Sequence, residues 1–113
     1  MKLVVISGPD KSGKMPLARE LMKRDADLVL VHRDFLRASF ESQLDESYIT
    51  LLMGWLARGI LCIERSPIIV AWNLERMDRD LWSSIATQFD VPMEWLDVRE
   101  PSVAAMIPAL TGA

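Results

Sequence analysis

The 113-residue chain predicts an α/β fold, a three-layer sandwich around a mostly parallel sheet of about four strands. Three observations predict it. Short apolar runs of buried-strand type, at Leu3-Val4-Val5-Ile6, Leu28-Val29-Leu30-Val31, Ile68-Ile69-Val70-Ala71 and Met93 to Val98, alternate with longer stretches of helical periodicity. Strand–helix–strand alternation implies right-handed crossovers between parallel neighbours. Half of the residues are hydrophobic, enough to bury a sheet on both faces, and the length gives room for one domain over residues 1–113.

The elements follow in order. Residues 2–7 read as the first strand, and 13–24 as a helix with Leu17, Leu21 and Met22 at amphipathic spacing. The second strand runs into His32-Arg33-Asp34, where a helix is expected to start on the capping carboxylate of Asp34 and continue through Phe35, Leu36 and Phe40. After a polar break at Gln43–Asp45, a longer helix starts at Glu46 and ends at either Gly59 or Arg65. It is apolar around most of its surface, which predicts burial between neighbours. Residues 77–89 form a helix with Met77, Leu81, Ile85 and Phe89 on one face, and Pro101 to Ala113 is a tail of one or two helical turns. Trp55, Trp82 and Trp95 are expected in the core, and the short sheet leaves an edge at the first or fourth strand.

Between the first strand and the first helix stands Gly8-Pro9-Asp10-Lys11-Ser12-Gly13-Lys14-Met15. It fits the phosphate-binding pattern G-x-x-x-x-G-K-[ST] at every fixed position but the last. The glycines let the backbone wrap a phosphate closely, the amides and the helix N-terminus supply positive charge, and Lys14 reaches the β- and γ-phosphates. This makes Gly8, Asp10, Lys11, Ser12, Gly13, Lys14 and Met15 the candidate nucleotide-binding residues and the fold P-loop NTPase-like. The ligand is then ATP, another nucleoside triphosphate or a simpler phosphate. Mg²⁺ is left open, because Met15 replaces the hydroxyl ligand and a thioether is too soft for that ion. Pro16 removes one further amide donor.

Asp34 and Arg37 lie three residues apart at the start of a helix, so both can face one cleft. A carboxylate beside a transferring phosphate can take the proton of an attacking hydroxyl, and an arginine one turn on can hold an acceptor phosphate. The same spacing also suits a cap and a solvated ion pair.

Composition narrows the classes. The net charge of −3, with no basic run, argues against a strong non-specific nucleic-acid or membrane-surface binder. One histidine and one cysteine make a zinc site untenable, and no metal ligand is assigned. Cys62, in an apolar stretch, reads as a buried structural thiol, which fits a reducing cytoplasm. The apolar stretch Tyr48 to Ile63 is too short and interrupted to span a bilayer.

Over residues 2 to about 101 the chain resembles the P-loop kinases of the polynucleotide kinase group, bacteriophage examples included. The resemblance rests on the loop, on Arg33-Asp34-x-x-Arg37, on Ile68 to Asn73, on Leu81-Trp82 and on the strand ending Asp97-Val98. It implies that Asp34 is the general base and that Arg37 grips the phosphate of the acceptor nucleotide, with Lys14 on the donor. The chain departs from that pattern at Met15, at Ala71-Trp72-Asn73 where the third strand of the group ends in an aspartate, and after Arg99, where no Arg or Lys remains for a lid. The final helix and last strand of the group are absent too. Trp72 either stacks a base, plugs the metal site, packs in the core or stands in place of the lid. Arg76, Arg79 and Arg99 are the cations left to replace a lid arginine, and Ser7 or Ser12 the hydroxyls left for Mg²⁺.

The departures converge on the metal and the γ-phosphate, so the reading is a degenerate P-loop kinase-like protein that binds nucleotide or phosphate with weak or absent transfer. Two alternatives stay open. One is an active ATP-dependent kinase acting on a 5′-hydroxyl nucleic-acid end or a small nucleotide. The other is a non-enzymatic module that binds a protein partner or forms a homodimer.

Overall fold

The computed structural model describes residues 1–73 and 75–107. Strands β1 (Leu3–Ser7), β2 (Leu28–His32), β3 (Ser66–Val70) and β4 (Met93–Asp97) form one sheet in the order β2-β3-β1-β4. Every neighbouring pair is parallel, with Val5 opposite both Ile69 and Trp95, and Val31 opposite Ile69. The helices are α1 (Lys14–Arg24), α2 (Arg33–Ala38), α3 (Glu46–Cys62), α4 (Arg76–Gln88) and α5 (Pro101–Ala104).

Alternation along each strand sorts the core into two layers. Val4, Ile6, Ile68 and Val70 pack with Leu17 and Ala18 of α1 and Val103 of α5. Leu3, Val5, Ile69 and Val31 pack on the other face with Ile49, Met53 and Ala57 of α3 and Trp82 and Ile85 of α4. β1 is fully buried because both layers rest on it. The chain leaves β1 toward one layer and β3 toward the other, so the crevice beyond their carboxyl ends lies open for a ligand.

The parallel sheet agrees with expectation, and its edges are β2 and β4; of the two strands expected at an edge, β4 is one and β1 is interior. Several other sequence expectations need correction. α2 starts at Arg33 and stops at Ala38, short of Phe40, and its cap is not Asp34. The imidazole Nδ1 of His32 accepts the Phe35 amide proton at 3.2 Å and fills that place. α3 ends between the two predicted stops, at Cys62. It is not buried all round, since Tyr48, Leu51, Trp55 and Leu56 are exposed. Trp55 is therefore not a core residue, while Trp82 is buried and Trp95 half-buried. The Cys62 thiol is exposed, because its position falls on the outer side of α3. Met77 is 81% exposed, leaving Leu81, Ile85 and Phe89 on the packed face of α4. Residues 108–113 of the expected tail lie outside the described residues.

Asn73 ties the layers together at the mouth of the crevice. Its backbone takes a left-handed φ of 52°, a conformation that asparagine tolerates. Buried, its amide nitrogen donates to the Ile6 carbonyl at 2.9 Å, and its amide oxygen accepts from the Trp82 indole N–H at 2.9 Å.

Candidate functional site

The loop after β1 is held from both ends. Gly8 has a φ of 154°, and a Cβ there would collide with the Val98 side chain. Its amide donates to the Trp72 carbonyl at 2.9 Å, fastening the loop to the exit of β3. Gly13 sits at φ 97°, ψ 17° as the residue preceding α1, and a Cβ would lie 2.9 Å from Ile107 Cδ1. Both positions demand glycine. The first amides of α1 have no intrahelical acceptor and are free for an anion.

Lys14 opens α1, and its ammonium donates to the Gly8 carbonyl at 2.6 Å and the Pro9 carbonyl at 3.1 Å. Burial pulls its pKa below the usual lysine value, opposed by the carboxylates of Asp10 and then Asp34. The Ser12 hydroxyl donates to the Pro9 carbonyl at 2.5 Å. Asp10 and Lys11 are exposed, and Asp10 Oδ1 accepts the Trp72 indole N–H at 2.7 Å. Trp72, itself half-exposed, thus reaches from the strand end to the loop, neither in the core nor placed as a lid.

The second half of the site comes from α2 and α3. Arg37 Nη1 donates to Asp34 Oδ1 at 2.6 Å, while its Nε and Nη2 each donate to Glu46 at 2.9 Å. Arg33 Nε donates to Glu46 Oε2 at 2.8 Å, and Arg33 Nη1 donates to Thr50 Oγ1 at 2.9 Å. Hydrogen bonds from Arg37, then Arg33, hold the Glu46 carboxyl down at about 2, and Arg37 is raised in turn by Glu46 and Asp34. His32, capping α2, stacks on Phe35 with ring centroids 4.3 Å apart. Its burial lowers the imidazole pKa, against the pull of Asp34.

One cleft of about 270 Å³ joins the two halves; Asp10, Lys14, Asp34, Arg37, Glu46 and Trp72 are among its walls. The loop residues Lys11, Ser12, Gly13 and Met15 line an adjoining recess that shares Asp10, Lys14 and Asp34. Lys14, Asp34 and Arg37 are thus brought together as the spacing suggested. Glu46 is the member that sequence reasoning missed. It was read only as the start of a helix, and its role depends on α2 folding back against α3, which no local pattern reports.

The three arginines expected to replace a lid arginine are not at this cleft. Arg99 is paired with Asp97, Arg79 lies over the Trp95 ring at 4.8 Å, and Arg76 faces Asp80 at 3.9 Å. These arginines line a separate hollow at the end of β4. Met15, at the position where the pattern has a hydroxyl, packs against the α1 layer, the Ser12 hydroxyl donates to the Pro9 carbonyl, and the buried Ser7 hydroxyl accepts from the Trp95 indole at 3.1 Å. Among the described residues no cluster of three or more His, Cys, Asp or Glu side chains is placed to hold a metal. No helix among them is long and apolar enough to cross a membrane.

No family model matches the chain, and no curated protein matches it in sequence. Solved structures do resemble it. A chain of a Pnkp1/Rnl/Hen1 complex superimposes with a TM-score of 0.74 at 24% identity over 88% of this chain, which spans 36% of that chain's length. The APS kinase CysC of Mycobacterium tuberculosis, as a cysteine-to-alanine mutant, gives 0.70 at 15% identity, covering 86% of this chain and 75% of its own. The same kinase in complex with AMPPNP and APS gives 0.68 at 15% identity, over 99% and 72%. Sheet order, loop and these likenesses agree: the chain has a P-loop kinase-like fold.

Proposed function

We propose that this protein binds a nucleoside triphosphate or a related phosphate ester on the loop Gly8–Met15, with phosphoryl transfer weak or absent. The observation that carries this reading is a single cleft walled by Lys14 on the donor side and by Asp34 and Arg37 on the acceptor side. Without a ligand, Lys14 satisfies itself on the loop's own carbonyls, and an incoming phosphate oxygen offers it a stronger, charged acceptor. AMPPNP bound to the neighbouring APS kinase makes an adenine nucleotide the first ligand to try.

Three features favour binding over transfer. Met15 stands where the pattern has its hydroxyl for Mg²⁺, the end of β3 carries no carboxylate, and Arg37 is already held by two carboxylates. Phosphoryl transfer draws its rate from charge neutralisation around the γ-phosphate, so each loss falls on the transition state.

Isothermal titration with ATP, with and without Mg²⁺, tests the proposal. Binding that is insensitive to Mg²⁺ and at least about tenfold weaker in Lys14→Ala is expected. Heat identical to buffer at millimolar ATP, GTP and deoxynucleotides overturns it. Met15→Thr should make the affinity respond to Mg²⁺, because it returns the missing oxygen ligand.

The Asp34 carboxylate in the same cleft favours a second reading, a slow kinase acting on a 5′-hydroxyl nucleic-acid end or a small nucleotide. In it, Asp34 takes the proton of the attacking hydroxyl and Lys14 stabilises charge on the transferred group. Transfer of labelled γ-phosphate to a 5′-hydroxyl oligonucleotide, lost in both Asp34→Ala and Lys14→Ala, selects this reading; no transfer leaves the binder.

A further inference from the structure

α3 has two apolar faces, and among the described residues only one of them is covered. Ile49, Met53, Ala57, Ile60 and Leu61 face the sheet. On the other side Tyr48, Leu51, Trp55, Leu56 and Ile63 remain 59%, 48%, 59%, 43% and 68% exposed. With Leu52, Gly59 and Cys62 they form a stripe nearly four turns long that contains no charged side chain. An outer helix face is ordinarily polar. α4 follows that rule, exposing Arg76, Arg79, Asp80, Ser83, Ser84 and Thr87.

Gly59 points the same way. Glycine weakens a helix interior relative to alanine. At Gly54 a Cβ would lie 3.2 Å from the Arg58 guanidinium, the movable end of a long side chain. At Gly59 a Cβ would meet nothing within 4 Å. Among the described residues nothing crowds Gly59, which leaves room there for the close approach of another backbone or of a large side chain.

We propose that the α3 stripe is the self-association surface of this protein, two copies pairing antiparallel about a twofold axis level with Ala57. Trp55 of one copy then faces Gly59 of the other, the largest side chain against none, while Leu52 faces Cys62 and Leu51 faces Ile63. A twofold interface lays one patch against itself. A charge-free stripe does this without repulsion, although the chain carries a net charge of −3. The side chains free on each copy amount to roughly 500 Å², and two copies together reach the roughly 1,000 Å² of a specific interface. Antiparallel helices also oppose their dipoles. None of the stripe residues lines the ligand cleft, so the surface is independent of the proposed phosphate site.

Sedimentation equilibrium from about 1 to about 100 µM tests this. The wild type is expected as a dimer of the 12.8 kDa chain. Gly59→Leu and Trp55→Glu, both at solvent-facing positions, should keep the far-ultraviolet circular dichroism and weaken association at least about tenfold. A wild type that stays monomeric at the top concentration overturns the proposal, as does a folded variant of either kind that pairs as tightly as the wild type. The register has its own test. The axis holds the two Cys62 residues about 15 Å apart along the helices, beyond disulfide reach. Leu52→Cys should oxidise to a covalent dimer through Cys62 of the other copy. Failure of that variant to cross-link, or ready cross-linking of the wild type, overturns the antiparallel pairing.

Discussion

Asn73 and Glu46 each satisfy several partners at once, but their environments give that role different weight. Asn73 is buried and serves both the Trp82 indole and the Ile6 carbonyl. Asn73→Ala leaves both without a partner and places a Cβ-only residue at φ 52°. A loss of about 2–4 kcal/mol is expected in urea unfolding. Glu46 sits in the open with its side chain 57% exposed, so water screens its two arginines. Its folded pKa of about 2 lies below the unfolded value of 4.5, so its contribution is present above pH 4.5 and lost as the pH falls toward 2. After screening that contribution is about 1 kcal/mol at most. Glu46→Gln should flatten this part of the stability–pH curve, read by thermal unfolding across that range.

The candidate site was partly legible at this scale. Gly8, Gly13 and Lys14 lie within one contiguous loop, and their roles follow from local backbone need and charge. Asp34 and Arg37 are one helical turn apart, also a local fact. Glu46 was out of reach because it meets Arg37 only through the packing of two helices. The bond from Trp72 to Asp10 was also out of reach, because it spans a strand end and a loop that meet only in the folded chain.

Among the elements, α2 is the short helix that carries Asp34 and Arg37 to the cleft. Its N-cap is an imidazole that must be neutral at Nδ1 to accept the Phe35 amide proton. Burial lowers the folded pKa of His32 below 6.5, so the cap is intact above that pH. Its stabilisation declines as the pH falls from 6.5 through the lowered folded value, where both states become protonated. Amide protection factors at Phe35 to Arg37 should fall as the pH is lowered through that window, and His32→Asn, which caps without titrating, should abolish the change. Sequence reading placed this helix but gave the cap to Asp34, because aspartate is the commoner cap and the two candidates stand only two positions apart. For α3 the limitation was different. A helix apolar on every side has no periodicity to say which face is covered, so its outer stripe read as core.

For the whole molecule, the two core layers share β1 and β3, and neither can melt while the other keeps its strands in place. Ile68 faces the α1 layer and Ile69 the α3 layer, both fully buried. Ile68→Ala and Ile69→Ala should each cost about 2–4 kcal/mol. Both should lower one common transition, with circular dichroism and tryptophan fluorescence moving together; two separated transitions would show the layers to be independent. The four strands and their parallel pairing were legible from alternation alone, since apolar runs of strand length between amphipathic helices admit few arrangements. The order β2-β3-β1-β4 was not, as nothing within a strand names its neighbour.

The bond from the Trp72 indole to Asp10 has a further consequence. Indole emission shifts when its N–H exchanges a carboxylate for water, and Asp10 belongs to the loop that would have to rearrange around an anion. The protein thus carries its own optical gauge of loop state. Trp72→Phe removes that gauge and leaves the signals of Trp55, Trp82 and Trp95 as background. The difference spectrum between the two proteins then reports the state of the loop without any label attached.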